Sequence, residues 1–67
     1  MVDAIALKGK IRGNNLTQQE CANALKLSLT GFNLKINGTH KFNVDEAAKL
    51  TEILHLSSEE ACNIFLS

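Results

Sequence analysis

The chain has no proline, no tryptophan and no tyrosine, and its formal net charge is zero. Without proline, no position is barred from a helix by a missing N–H or a locked backbone angle. Aromatic side chains are limited to Phe32, Phe42 and Phe65, so a core has to be assembled mainly from Leu, Ile and Ala, which suits a small helical domain. There is no metal-ligand cluster, no glycine-rich phosphate loop and no nucleophile elbow. Sixty-seven residues make one domain, 1–67, with little room for a catalytic cleft. A domain of this size buries only about 60% of its unfolded surface. Neither an enzyme nor a cofactor is expected, and no small-molecule substrate.

Signal-peptide and transmembrane patterns are also missing, so the expectation is a cytoplasmic protein with no membrane partner. In that compartment thiols stay reduced. Cys21 and Cys62 both fall at apolar positions of predicted helices, and the expectation for each is a buried, inert thiol.

What the chain does have is a stretch, Leu16–Gly38, that reads as two short helices joined by a tight turn. Thr17 and Glu20 form a capping-box pair that predicts a helix from Gln18, with Cys21, Ala22 and Leu25 inward. Two of these are small enough to let a neighbouring helix cross closely. Ser28 is the next cap, and it predicts a second helix from Leu29 to about Ile36. Phe32 and Ile36 fall on its buried face, with Thr30, Asn33, Leu34 and Asn37 opposite. A connection this short fits a helix-turn-helix.

Three further cap signals organise the rest of the chain. Asp3 opens a helix with Ala4, Leu7 and Ile11 inward, ending near Arg12, where Gly13 is placed to stop it. Asn43 with Glu46 opens a fourth helix, with Val44, Ala47, Leu50, Thr51 and Leu54 inward and an end near His55. Ser57 with Glu60 opens a fifth, with Ala61, Ile64 and Phe65 inward. In a hydrophobic staple the residue before the cap packs on the one five further along. The pairs Val2 with Leu7, Leu16 with Cys21, Leu27 with Phe32, Phe42 with Ala47 and Leu56 with Ala61 are all apolar. No strand pattern competes, so the predicted fold is an all-α, compact five-helix domain.

Leu-Thr-Gln at 16–18, Ala22, Leu25, the Leu27–Ser28 pair, Phe32 and Ile36-Asn37-Gly38 together resemble the helix-turn-helix of the lambda-repressor-like superfamily, most closely its small phage Cro-type regulators. The resemblance implies a sequence-specific regulator of transcription that binds a double-stranded DNA operator and forms a homodimer at least on DNA. It places the helix 29–36 in the major groove, with Thr30 and Asn33 as base readers. Leu29 is either a contact to a thymine methyl or, on its spacing from Phe32 and Ile36, an edge of the core. Leu34 is either a thymine-methyl contact or part of a protein-binding patch. An amide such as Asn33 can pair bidentately with adenine. Gln18, Lys35, Asn37, Thr39 and Lys41 are the expected phosphate contacts, and Cys62, Phe65 and Leu66 the expected dimer surface. Gly31, which offers no side chain, would let the backbone approach the duplex. Lys26 stands where many members carry glycine, and a left-handed backbone there would cost roughly 1–2 kcal/mol.

Charge is unevenly distributed along the chain. Residues 1–42 hold Lys8, Lys10, Arg12, Lys26, Lys35 and Lys41 against Asp3 and Glu20, a balance of +4. Residues 43–67 hold Lys49 against Asp45, Glu46, Glu52, Glu59 and Glu60, a balance of −4. Such asymmetry fits a domain with one face on phosphate. It also fits carboxylates gathered at helix starts, where they favour the dipole. A second reading is a protein-interaction module that keeps the fold without reading DNA. Zero net charge, an acidic C-terminal half and Leu29, Gly31 and Leu34 on the second helix of the motif support it.

Overall fold

The computed structural model describes residues 2–66 and contains five helices: α1 (Ala4–Gly13), α2 (Gln18–Ala24), α3 (Leu29–Ile36), α4 (Val44–Ile53) and α5 (Ser58–Phe65). No strand occurs among the described residues. Each helix starts at the residue after its expected cap. The side chains of Asp3, Thr17, Ser28, Asn43 and Ser57 accept the N–H of Ala6, Glu20, Gly31, Glu46 and Glu60 respectively. In α2, α4 and α5 the glutamate reaches back to the cap's own N–H, which completes a capping box. Free N–H groups at helix starts are costly to leave unpaired, and a cap contributes about 0.5–2 kcal/mol.

The helix ends share a second device. After α1, α2, α3 and α4 one residue takes a left-handed conformation: Asn15 (φ 58°), Lys26 (φ 59°), Gly38 (φ 84°) and His55 (φ 54°). Its N–H returns to the helix, as does that of the following residue, in the Schellman pattern. Leu16, Leu27, Thr39 and Leu56 thus donate to the carbonyls of Ile11, Ala22, Leu34 and Thr51. Gly13 is not the stop that the sequence suggests. It is the last residue of α1, and Asn15 makes the left-handed turn, because an asparagine tolerates that conformation and the glycine is not required to.

The core is formed by Leu7, Ile11, Cys21, Ala22, Phe32, Ile36, Leu50, Leu54, Leu56 and Ile64. All five residues preceding the caps, Val2, Leu16, Leu27, Phe42 and Leu56, belong to this core or pack against it. Helix α2 packs chiefly on α3, while α1 touches α2 and α5, and α4 touches α5. Two polar ties close the assembly. Asp3 N–H donates to the Ile64 carbonyl at 2.8 Å, joining the start of α1 to the end of α5. The Asn14 amide donates to the carbonyls of Lys10 (2.8 Å) and Leu54 (3.3 Å), joining the ends of α1 and α4.

The three phenylalanines form one edge-to-face series. Phe32 and Phe42 have ring centroids 6.0 Å apart at 70°, and Phe42 and Phe65 are 5.6 Å apart at 79°. Phe42, in the connection between α3 and α4, therefore links the core to the end of α5.

Two expected core positions face solvent. Val44 is 84% exposed. It is the first residue of α4, about 120° around the helix from Leu50, whereas Glu46 lies about 40° from Leu50 and is buried instead. Cys62 is exposed, because it lies nearly opposite the buried Ile64 on α5. Cys21 is buried as expected, and burial, helped by the Glu20 carboxylate, pushes its thiol pKa up.

Candidate nucleic-acid interface

Between Glu20 and Asp45 the chain contains no carboxylate. That interval supplies the end of α2, all of α3 and the connection to α4. Helix α3 starts with Leu29, Thr30 and Gly31, so its first turn carries no acid, whereas α2, α4 and α5 each place acids there. The positive end of its dipole is therefore not offset by a local negative charge.

Spacing of three and four aligns Thr30, Asn33, Leu34 and Asn37 along one strip of α3. Thr30 and Asn37 are exposed, and Asn33 and Leu34 are half-buried. Leu29, on the edge of the inward stripe, is 38% exposed. Beyond the helix, Thr39, His40 and Lys41 are exposed, and the Thr39 and His40 N–H groups both donate to the Leu34 carbonyl. Gln18 is half-buried in the first turn of α2. On α5, Cys62 and Leu66 are exposed, and Phe65 is half-buried beside Phe42.

Gly31 has a role within the protein itself. Its N–H donates to Ser28 Oγ at 3.0 Å, and a Cβ added there would stand 3.2 Å from the same oxygen. The glycine thus fits the cap of α3 closely, whatever approaches from outside.

Lys35 differs from the other expected phosphate contacts. Its ammonium donates to Glu46 Oε1 at 2.5 Å, and the side chains are only 16% and 11% exposed. The same oxygen accepts the Asn43 N–H at 2.9 Å. Burial pushes the Glu46 pKa upward, but the Lys35 ammonium and the Asn43 N–H outweigh it, and the carboxyl titrates below its ordinary range. Lys10 is similarly taken up by Glu60, which together with the Ser57 N–H pulls that carboxyl down to about 2. The two halves of the charge pattern are thus partly interlocked in space. Lys8, Arg12, Lys26 and Lys41 remain as cations without a carboxylate partner among the described residues.

Sequence reasoning assigned Glu46 only to its cap. A capping carboxylate keeps its negative charge and can accept a second bond beside its local one, and a basic residue in the preceding helix is the signal that points to that second partner. No group of three metal-ligating side chains and no unpaired buried polar side-chain atom occurs among the described residues. No described helix is long and apolar enough to cross a membrane. Compared with known protein families, curated proteins and solved structures, the chain matches none.

Proposed function

We propose that the protein is a sequence-specific DNA-binding regulator of transcription, with α2 and α3 acting as a helix-turn-helix of the lambda-repressor-like kind and α3 lying in the major groove. The observation that carries this reading is the carboxylate-free interval 21–44, in which a strip runs from the acid-free start of α3 along the exposed Thr30, the half-buried Asn33 and the exposed Asn37 to Lys41. Phosphate contacts supply most of the affinity of such proteins, and a few side chains at base edges supply the choice of sequence.

In this reading Asn33 and Thr30 meet base edges, Leu29 and Leu34 meet thymine methyls, and Gln18, Asn37, Thr39 and Lys41 meet phosphates. Lys35 would reach a phosphate only in competition with Glu46. Two copies would occupy half-sites about 34 Å apart, meeting through Cys62, Phe65 and Leu66, and binding at a promoter would repress by occlusion. Sedimentation with and without operator tests the dimer.

The deciding experiment is an amide NMR titration with a mixed-sequence duplex at low salt, where non-specific binding of roughly 10⁻⁴–10⁻⁶ M is visible. Salt-reversible shifts at Gln18, Leu29–Asn33 and Asn37–Lys41 are expected. An unresponsive α3 in the folded protein would overturn the reading. It would favour an interaction module instead, a role supported by the Lys35–Glu46 pair, which withdraws a cation from this face, and by the exposed Leu29.

A further inference from the structure

A groove of about 650 Å³ opens where the α3–α4 connection, the start of α4 and the end of α5 meet. Its apolar lining consists of Val2, Phe42, Val44, Ala47, Phe65 and Leu66. Val44 and Leu66 are 84% and 76% exposed, the largest apolar exposures beside Ile5 among the described residues. Apolar side chains held open to water around a concave surface mark a binding site more often than chance exposure does. The volume falls within the range of small-molecule sites, roughly 300–1,000 Å³.

The polar groups select the kind of ligand. Lys41 and His40 stand at the groove, and among the described residues no carboxylate lines it. The Lys41 ammonium has no carboxylate partner among the described residues. The acids of the first turn of α4, Asp45 and Glu46, border a different, smaller depression. An apolar slot with an unpaired cation at its rim complements an apolar body ending in a negative charge.

We propose that this groove binds a small amphiphilic carboxylate, its chain against Phe42 and Phe65 and its carboxylate on Lys41. The site does not rest on the DNA-binding reading, but it shares Lys41, Phe65 and Leu66 with it, so a second copy seated on Phe65 and Leu66 would compete with the carboxylate.

Titration of the isotope-labelled protein with decanoate, beside decyltrimethylammonium of the same chain length, tests the proposal. Decanoate is expected to give saturable amide shifts confined to Val2, Gly38–Ala47 and Phe65–Leu66, and the cation is expected to give none. Lys41→Glu should weaken decanoate roughly fivefold or more. Val44→Asp, which removes an apolar wall and adds a repelling charge, should abolish saturation. Both positions are exposed, so the remaining amide spectrum should report an unchanged fold. An equal response to the cation, or no saturation with the native protein, would overturn the proposal. Shifts that follow protein concentration and ignore decanoate would overturn it too, and would give the groove to a second copy of the chain.

Discussion

Lys35, in the last turn of α3, and Glu46, in the first turn of α4, hold each other in a largely buried ion pair that spans the corner between the two helices. Removing one partner leaves the other partly desolvated and unpaired. Glu46→Gln is therefore expected to lower stability by about 1–3 kcal/mol, read as a fall in urea midpoint with unchanged slope.

The same substitution makes a second measurement possible on DNA. Glu46→Gln frees the Lys35 ammonium, and each phosphate neutralised changes the logarithmic salt slope by about 0.9. The slope should steepen by that amount in Glu46→Gln and flatten by that amount in Lys41→Gln. In the native background Lys35→Gln should change it less than Lys41→Gln. Equal effects of the two lysines would mean that the pair opens on binding.

Base reading is separable from these charge effects. Asn33→Ala is expected to reduce discrimination among operator sequences by roughly 1–3 kcal/mol at one position while leaving the salt slope unchanged. A uniform loss across all sequences would instead make Asn33 a phosphate contact.

Acid should destabilise the protein through its two bridged glutamates. The Glu60 carboxyl titrates at about 2 in the folded protein against an ordinary value of 4.5, and the Glu46 carboxyl is also lowered. A depressed carboxyl stabilises the fold fully above its unfolded pKa, and that contribution is lost as pH falls from there through the folded value. Thermal midpoints should accordingly fall between about pH 4.5 and pH 2. Lys10→Gln should shrink the part due to Glu60, and an unchanged acid limb in that variant would show that this bridge contributes nothing in solution.

Lys26 and His55 both hold left-handed backbone that a Cβ disfavours. Lys26→Gly and His55→Gly are each expected to stabilise the protein by about 0.5–1 kcal/mol, the relief of strain exceeding the extra freedom of an unfolded glycine. In a domain of this length that raises the melting temperature by about 2–8 °C. Asn15→Gly should gain less, since asparagine tolerates the conformation.

The starts of all five helices were legible in the sequence because each is decided within a few residues, by a cap, its third neighbour and an apolar residue on either side. The left-handed turn at Lys26 had no such local signal, since a lysine does not favour that conformation, and it entered only as a condition attached to the resemblance. Val44 misled because its apolar character was taken as direction, whereas direction is set by where Leu50 and Leu54 point. The Lys35–Glu46 contact was not legible, because the phase between α3 and α4 depends on how the connection around Phe42 folds, and Phe42 is placed by Phe32 and Phe65 rather than by its neighbours. Of the proposed interface, the strip on α3 followed from helical spacing alone. The withdrawal of Lys35 into the protein did not.

The connections 14–17, 25–28 and 54–57 have the same length and the same order: a helix end, a left-handed residue, a core leucine and a hydroxyl cap. One residue gained or lost in any of them would break the left-handed turn, the leucine contact or the cap that its four positions hold together. Between α3 and α4 the exposed residues Gly38–Lys41 include no core leucine and no cap. Chains descended from a common ancestor with this one are expected to vary in length there and to hold their length elsewhere between Ala4 and Phe65. The placing of gaps would then identify kinship after the amino acids themselves have diverged.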